Sequence, residues 1–383
     1  MQYSKNLIIN EINRIRNEIG HEKAKIFIKD IILDEKTDTI WIITKDRGSK
    51  SAIIGKGGWV VGRLKEDLNI GKIHIESHSD FILKEYQMML SLNKLNSFIE
   101  MNNNNLNMNK TLTGILNLKK LLESKIKHKY KFNIEDYLNK EILDNNEEEQ
   151  AEKNHKHQAV VALSGGVDSS FSLILAKYLG FNPIAITIDP GTIILPKVFK
   201  NNIDNLANKL DVEYHYLKKN YDSVIDNSLN GRFHPCGRCS TMTGKNIFEF
   251  AHKKNINMII FGDLLSTGCQ CLTENKIRFN DSNKKYINEK KNNKISTDKE
   301  YEASMFRLNL PATLSIGKEE IREFTSKFNI KKIKGFGCPL LHEVHKKYPY
   351  IKKFSIQRIL RETRSGALEP GEALEQIWSF YQT

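Results

Sequence analysis

The residues best suited to chemistry form a short turn, rich in glycine and hydroxyl groups, that joins an apolar run to a helical pattern. The run Val160–Leu163 predicts a strand, and the helix-period apolar residues that follow, ending at Gly180, predict a helix. Glycines let the backbone approach an anion, and the N–H groups and dipole of a helix N-terminus attract it. The sequence therefore predicts phosphate binding at the turn Ser164-Gly165-Gly166-Val167-Asp168-Ser169-Ser170.

The polar residues of this turn have separate predicted roles. The hydroxyls of Ser164, Ser169 and Ser170 are predicted to donate to phosphate, whereas Asp168 could orient a metal ion carried by the phosphates. The turn is shorter than the GxxxxGK[ST] motif and lacks its lysine. The alternative is an ordinary glycine turn, which is disfavoured because strand, turn and helix occur here in one register.

The turn resembles the PP-loop of the ATP pyrophosphatases, enzymes that adenylate a substrate with ATP and release pyrophosphate. The resemblance covers about residues 158–345 and implies an α/β domain with a doubly wound parallel sheet that binds ATP and Mg²⁺. It assigns catalytic roles to Asp168, Asp263 and Cys269. The cofactor-binding residues that it implies are Ser164, Gly165, Gly166, Asp168, Ser169, Ser170, Asp189 and Gly262.

Further strands are predicted to alternate with helices, at Pro183–Ile188, Val212–Leu217, Asn257–Phe261 and Phe306–Leu310. This alternation predicts a parallel sheet, in which ligands collect at the carboxyl ends of the strands. Asp189, Gly262 and Asp263 fall at such ends. Many family members have GHNxDD after the fourth strand, and Gly262-Asp263-Leu264 is closer to the 4-thiouridine synthetases, which leaves the role of Asp263 open. Two later segments resemble the RPL…KxEI pattern of the family, Arg307-Leu308-Asn309-Leu310-Pro311 and Gly317-Lys318-Glu319-Glu320-Ile321.

The five cysteines favour metal or redox chemistry over a disulfide framework, because their number is odd and two form a CxxC pair. Cys236 and Cys239, with the late Cys338, resemble the ligands of tRNA 2-thiolation enzymes, in which three cysteines hold a [4Fe-4S] cluster with one iron open. Thiolates suit zinc equally well, so a structural zinc completed by Cys269 or Cys271 is one alternative. Unligated thiols are another, and either of the last two cysteines could instead carry a persulfide.

Residues 1–98 form a predicted α+β domain with the order α-β-β-α-GxxG-α-β. With the wording Ile53-Ile54-Gly55-Lys56-Gly57-Gly58, this order resembles a KH domain, whose GxxG loop clamps the backbone of single-stranded nucleotides. The resemblance covers about residues 1–80 and implies RNA binding by Gly55, Lys56, Gly57 and Gly58. The alternative is a glycine turn between two core helices.

The remaining segments are polar. Residues 99–157 are predicted to be a low-complexity linker with a helix near Leu112–Lys127, and residues 274–300 an insertion loop. Residues 346–383 are predicted to be a basic helical segment, because 331–364 hold 7 Lys and 3 Arg against 2 Glu. On a helix, its arginines form a solvated face or a surface that tracks phosphates. A net charge of +13 favours a polyanionic partner.

Together these features predict a tRNA sulfurtransferase: ATP adenylates a base of RNA, most simply tRNA, and sulfur insertion releases AMP after pyrophosphate. The sulfur donor is unknown, and a homodimer is left open. One alternative is sulfur or nitrogen transfer to a small molecule, and another is a non-catalytic RNA-binding protein that keeps a nucleotide pocket. The sequence has no apolar run of about 18 residues and no signal-peptide pattern, which predicts a cytoplasmic protein without a membrane partner.

Overall fold

The chain divides into two compact units, Met1–Tyr86 with His128–Lys131 and Gln87–Lys127 with Phe132–Thr383. The computed structural model describes residues 3–35, 37–103, 112–128, 130, 132–139, 158–264, 271–280, 285, 300–331 and 337–381. No helix within these ranges combines the length and the apolar character that a membrane span needs.

The smaller unit packs helices against a three-stranded sheet of order β1-β2-β3. Strands β1 and β2 pair antiparallel, and β2 and β3 pair parallel. Its apolar core includes Ile8, Ile12 and Ile15, which recur at helical spacing on α1 and are buried. The element order is the predicted one, and the KH assignment itself stays a prediction. The elements are α1 (Lys5–Glu18), β1 (Ile28–Asp34), β2 (Thr39–Thr44), α2 (Arg47–Ile54), α3 (Trp59–Asp67) and β3 (Lys72–Ser77).

The larger unit contains a six-stranded sheet of order β6-β5-β4-β7-β9-β8. Every neighbouring pair is parallel except β8 and β9, so the predicted class, α/β with a mostly parallel doubly wound sheet, is confirmed. The first strand alternates between the two faces, with Val161 in one apolar cluster and Val160 in the other. The strands are β4 (Gln158–Ala162), β5 (Asn182–Asp189), β6 (Tyr214–Lys218), β7 (Met258–Phe261), β8 (Leu272–Asn280) and β9 (Glu300–Asn309).

Helices cover both faces of this sheet, and the connections place α7 after β4 and α8 after β5. The remaining helices follow the strands in chain order. They are α4 (His78–Asn103), α5 (Thr113–Lys127), α6 (Ile134–Leu138), α7 (Val167–Tyr178), α8 (Lys197–Lys209), α9 (Asp222–Leu229), α10 (Pro235–Lys253), α11 (Leu310–Thr313), α12 (Lys318–Thr325), α13 (Pro339–Lys347), α14 (Lys352–Arg364) and α15 (Pro370–Trp378).

Two segments differ from the low-complexity assignments. Helix α5, within the predicted linker, buries Leu118 and Leu121 in the core of the larger unit, which begins at Gln87. Its apolar face stabilises the unit although the flanking sequence is asparagine-rich. Residues 274–280, within the predicted insertion loop, belong to β8 and pair with β9. Composition averaged over a long window hides such short periodic segments.

Candidate active site

The predicted phosphate turn lies at the carboxyl end of β4, directly before α7. Its serines close it: the Ser164 N–H donates to Ser169 Oγ at 3.1 Å, and the two hydroxyl oxygens are 3.0 Å apart. Ser169 Oγ in turn donates to the Gly166 carbonyl at 3.1 Å. Ser170 Oγ is buried and has no hydrogen-bond partner among the described residues. The first N–H groups of α7 therefore begin a helix whose N-terminus can receive an anion.

Helix α8 holds this turn from one side. Gly165 has φ +77°, and a Cβ there would lie 2.5 Å from the Phe199 carbonyl oxygen, so only glycine fits. The buried Asn202 donates from Nδ2 to the Gly165 carbonyl at 2.8 Å and to the Lys331 carbonyl at 2.8 Å. Asn202 is a positioning residue that sequence reasoning missed, because an asparagine on a helix carries no motif.

Strand β7 holds the turn from the other side. A Cβ on Gly262 would lie 2.8 Å from the backbone carbon and oxygen of Asp168 and 2.8 Å from the Ser169 Cα. Ser172 Oγ donates to the Phe261 carbonyl at 3.2 Å, which ties α7 to the end of β7. Gly262 therefore contributes by its small size, which permits the close approach of two backbones.

Two acidic residues that the sequence placed at strand ends are already paired. Asp189 ends β5 and accepts from Lys200 at 2.6 Å and from the Gly191 N–H at 3.1 Å. Burial acts to raise the pKa of Asp189, but these hydrogen bonds outweigh it and hold the pKa below its usual range. Asp263 forms an ion pair with Arg307. Both carboxylates therefore lie at the predicted edge of the sheet.

Asp168 lies at the start of α7 and is only partly covered, yet burial is the largest cause of its raised pKa. The nearby charges oppose one another: Lys318 and Arg358 act to lower this pKa, and Glu362 and Asp263 act to raise it. A carboxylate that is costly to ionise in the protein alone would gain from a cation carried by a ligand. This environment fits the predicted metal-orienting role.

The cations beside Asp168 belong to a network from the C-terminal third of the chain. Buried Glu362 on α14 accepts from the Arg358 Nε at 3.2 Å and lies 2.7 Å from the Lys318 Nζ on α12. Glu362 thus holds two cations near the phosphate turn. The sequence indicated a basic helix here and a family-type segment at Lys318, but it did not place either cation beside Asp168.

The three cysteines predicted to bind metal lie at two helix N-termini. Cys236 and Cys239 are in the first turns of α10, and Cys338 is the N-cap residue of α13. Burial raises the pKa of Cys236 to about 11 and that of Cys239 to about 12, with Cys338 adding to both, and burial also raises the pKa of Cys338. The thiols are therefore neighbours. Among the described residues, however, no three His, Cys, Asp or Glu side chains are arranged to hold a metal ion.

A hydrogen-bonded chain anchors the CxxC helix. His234 Nδ1 accepts from the Cys236 N–H at 3.3 Å, so a neutral His234 carries its proton on Nε2 and donates it to Ser355 Oγ, 2.9 Å away. Ser355 then donates to the His345 Nε2 at 3.0 Å. Burial lowers the pKa of His234 and, with His234 as a neighbouring charge, lowers that of His345 to about 4. Both rings are neutral at pH 7, which keeps this direction of donation.

The other two cysteines have different positions. Cys269 lies outside the described residues. Cys271 is buried against Leu272 and Leu308 in the main apolar core, and its carbonyl accepts from the Asn309 N–H at 2.8 Å. Its thiol is therefore part of the core packing beside β8 and β9.

The GxxG loop of the smaller unit has glycine-type backbone throughout. Gly55, Gly57 and Gly58 have φ of +72°, +63° and +79°, and Lys56 between them is exposed. Trp59 follows the loop directly and is 66% exposed. An open glycine loop with a cation and an aromatic ring has the groups that clamp a nucleotide backbone and stack on a base.

No protein-family model matches the chain. The uncharacterized protein MJ1638 of Methanocaldococcus jannaschii is 32% identical over 222 residues, which are 58% of this chain and 74% of that protein. The tRNA-specific 2-thiouridylase MnmA of Nitratiruptor sp. is 29% identical over 126 residues, 30% of this chain and 37% of that enzyme. MnmA 1 of Clostridium botulinum is 32% identical over 134 residues, 32% of this chain and 36% of that enzyme.

One similar solved structure is the U34-tRNA thiolase NcsA from Methanococcus maripaludis with its [4Fe-4S] cluster. It is 15% identical, the match covers 59% of this chain and 71% of that one, and the TM-score is 0.30. At this score, the similarity does not determine the function of the chain.

The sheet order and the turn between β4 and α7 define an α/β protein with a doubly wound, mostly parallel sheet. By its similarity over 74% of that protein, the chain belongs to the same family as MJ1638. It is also related in sequence to tRNA-specific 2-thiouridylases, of which it spans 36–37%.

Proposed function

We propose that this protein is a tRNA sulfurtransferase that uses ATP to adenylate an RNA base and then inserts sulfur. One observation carries the proposal: the cation Arg358 interacts electrostatically with both Asp168 of the phosphate turn and Cys236 of the thiol site. A nucleotide site and a sulfur site thus share one neighbourhood. The sequence similarity to tRNA-specific 2-thiouridylases supports the same reaction.

The phosphate turn would hold the ATP phosphates. The N–H groups at the start of α7 and the hydroxyls of Ser164 and Ser169 would donate to phosphate oxygens, and Asp168 would bind the accompanying Mg²⁺. The carbonyl oxygen of the base then attacks the α-phosphorus, and the bond to the pyrophosphate oxygen breaks. Positioning and charge neutralisation supply most of the rate.

The second step removes the oxygen. A sulfur nucleophile at the oxidation level of hydrosulfide forms a bond to the activated carbon, while the C–O bond to AMP breaks and its electron pair leaves with AMP. Asn202 and Gly262 would keep the turn in place through this sequence, because they hold it from opposite sides. The reaction releases one pyrophosphate and one AMP for each sulfur inserted.

Cys236, Cys239 and Cys338 fit the predicted cluster by their chemistry. They are three thiols at two helix N-termini, whose N–H groups favour thiolates, and a cation lies nearby. A bound [4Fe-4S] cluster would supply an iron without a protein ligand that can take a sulfur atom. Zinc remains the alternative metal, since thiolates bind both.

The smaller unit would bind the RNA. Exposed Lys56 in the glycine loop and exposed Trp59 beside it support this role. Lys56 would meet the backbone phosphates and Trp59 would stack on an unpaired base.

Pyrophosphate and AMP formation, with and without tRNA, tests the proposal. We expect release that depends on tRNA and is abolished by Asp168→Ala, whereas Asp226→Ala, at an exposed position of α9, leaves it unchanged. Mass spectrometry of tRNA nucleosides from a deletion strain should then show one missing thiolated base. Release that is equal without RNA would favour a small-molecule substrate, and no release at all would favour a non-catalytic RNA-binding protein.

A further inference from the structure

The inward face of α14 connects the thiol site with the phosphate turn. Ser355, Arg358 and Glu362 are spaced by three and four residues, so they lie on one side of this helix. The helix rises 1.5 Å per residue, which puts Ser355 and Glu362 roughly 10 Å apart along the axis. Arg358 lies between them.

Both ends of this face are anchored by hydrogen bonds or ion pairs. Ser355 lies 2.9 Å from His234, which caps the helix that carries Cys236 and Cys239. Glu362 lies 2.7 Å from Lys318, whose charge acts on Asp168. Arg358 is therefore held midway between the thiols and the phosphate turn.

The Arg358 side chain remains 52% exposed, although its partner Glu362 is only 4% exposed. The Nε–H bond to Glu362 uses one of the five N–H donors of the guanidinium and orients the group. A planar guanidinium matches two phosphate oxygens at once, which an ammonium does not.

We propose that Arg358 is a nucleotide ligand that binds the phosphate chain at the side facing the thiols, a role that rests on the nucleotide binding proposed above. A cation there offsets the charge that develops on AMP when the C–O bond breaks. The phosphate turn alone supplies no cationic side chain, since Ser164-Gly165-Gly166-Val167-Asp168-Ser169-Ser170 contains neither lysine nor arginine.

Titration calorimetry of the full chain with Mg²⁺ and a non-hydrolysable ATP analogue tests this role. We expect Arg358→Gln to weaken binding by about 10- to 100-fold, the range for a hydrogen bond to a charged group. Arg358→Lys should recover only part of the loss, because lysine keeps the charge without the paired donors. Arg361→Gln is the matched control: it removes the same charge from an exposed position of α14 and should bind as the parent does.

Adenosine, which has no phosphate, distinguishes a contact from general damage. Its affinity should be the same in Arg358→Gln and in the parent protein. Equal loss for adenosine and for the ATP analogue, or no loss for the analogue, overturns the role of Arg358 while nucleotide binding by the parent still stands. A parent protein that binds neither compound overturns the proposed function and this inference together.

Discussion

Replacing Gly262 with alanine is expected to displace the phosphate turn without removing any polar group. The added Cβ would lie 2.8 Å from the carbon and oxygen of Asp168 and from the Ser169 Cα, all of them backbone atoms. No side-chain rotation can relieve this overlap, so the end of β7 and the start of α7 must separate by about 0.6 Å to reach ordinary contact. The backbone conformation of Gly262 is not of the left-handed type, so the effect comes from space alone.

The expected magnitudes follow from that displacement. Overpacking of this kind costs roughly 1–3 kcal/mol in the free energy of unfolding, which urea denaturation measures. Because a shift of about 1 Å at a reacting centre costs about 100-fold in rate, a shift of 0.6 Å should reduce tRNA-dependent pyrophosphate release by roughly tenfold or more. Gly244→Ala in the interior of α10 is the control: nothing lies within 4 Å of the new Cβ, so we expect a gain of about 0.5–1 kcal/mol. Parental stability and turnover in Gly262→Ala would refute the close packing of β7 on the turn.

The remaining predictions concern charges, the RNA loop and the metal. The folded-state pKa of Asp168 is raised above the usual 3.8, so its stabilising effect is full below that value and is lost as the pH rises through the folded-state pKa. Asp168→Asn should therefore be more stable at pH 7 and show a flatter profile of melting temperature against pH; an unchanged profile would contradict the burial argument. Glu362→Ala should cost about 2–3 kcal/mol in urea denaturation because it leaves two cations without their acid, while exposed Glu319→Ala should change little, and equal effects would refute the network. Lys56→Glu should weaken tRNA binding and reduce its dependence on salt without changing ATP affinity; identical binding at every salt concentration would remove the loop from the RNA interface. Anaerobically purified protein should be brown with about four irons per chain, and Cys236→Ser should bleach it; zinc in place of iron would indicate a structural site.

Local patterns determined much of the fold in advance. The apolar run before Ser164 and the helical spacing after it predict strand, turn and helix, and the structure has β4 and α7 on either side of that turn. These elements are predictable because side chains alternate with a period of two on strands and 3.6 on helices. The parallel sheet follows, since strands joined through helices can pair only in that direction.

Composition was a weaker guide than periodicity. The asparagine-rich region around Leu118 averages to a linker, yet the apolar face of α5 is buried in the core. The masked part of that region, like Cys269, lies outside the described residues.

The candidate site depended on tertiary structure for its charges. Asp168, Lys318 and Arg358 are far apart in sequence, and no local signal relates them; only the packing of α12 and α14 brings their charges together. Likewise, Asn202 holds the Gly165 carbonyl because α8 packs against the turn. The sequence by itself determined the residue types and the local geometry of the phosphate turn. The tertiary structure decided which distant side chains face it, because that depends on how whole helices pack and not on the propensities of neighbouring residues.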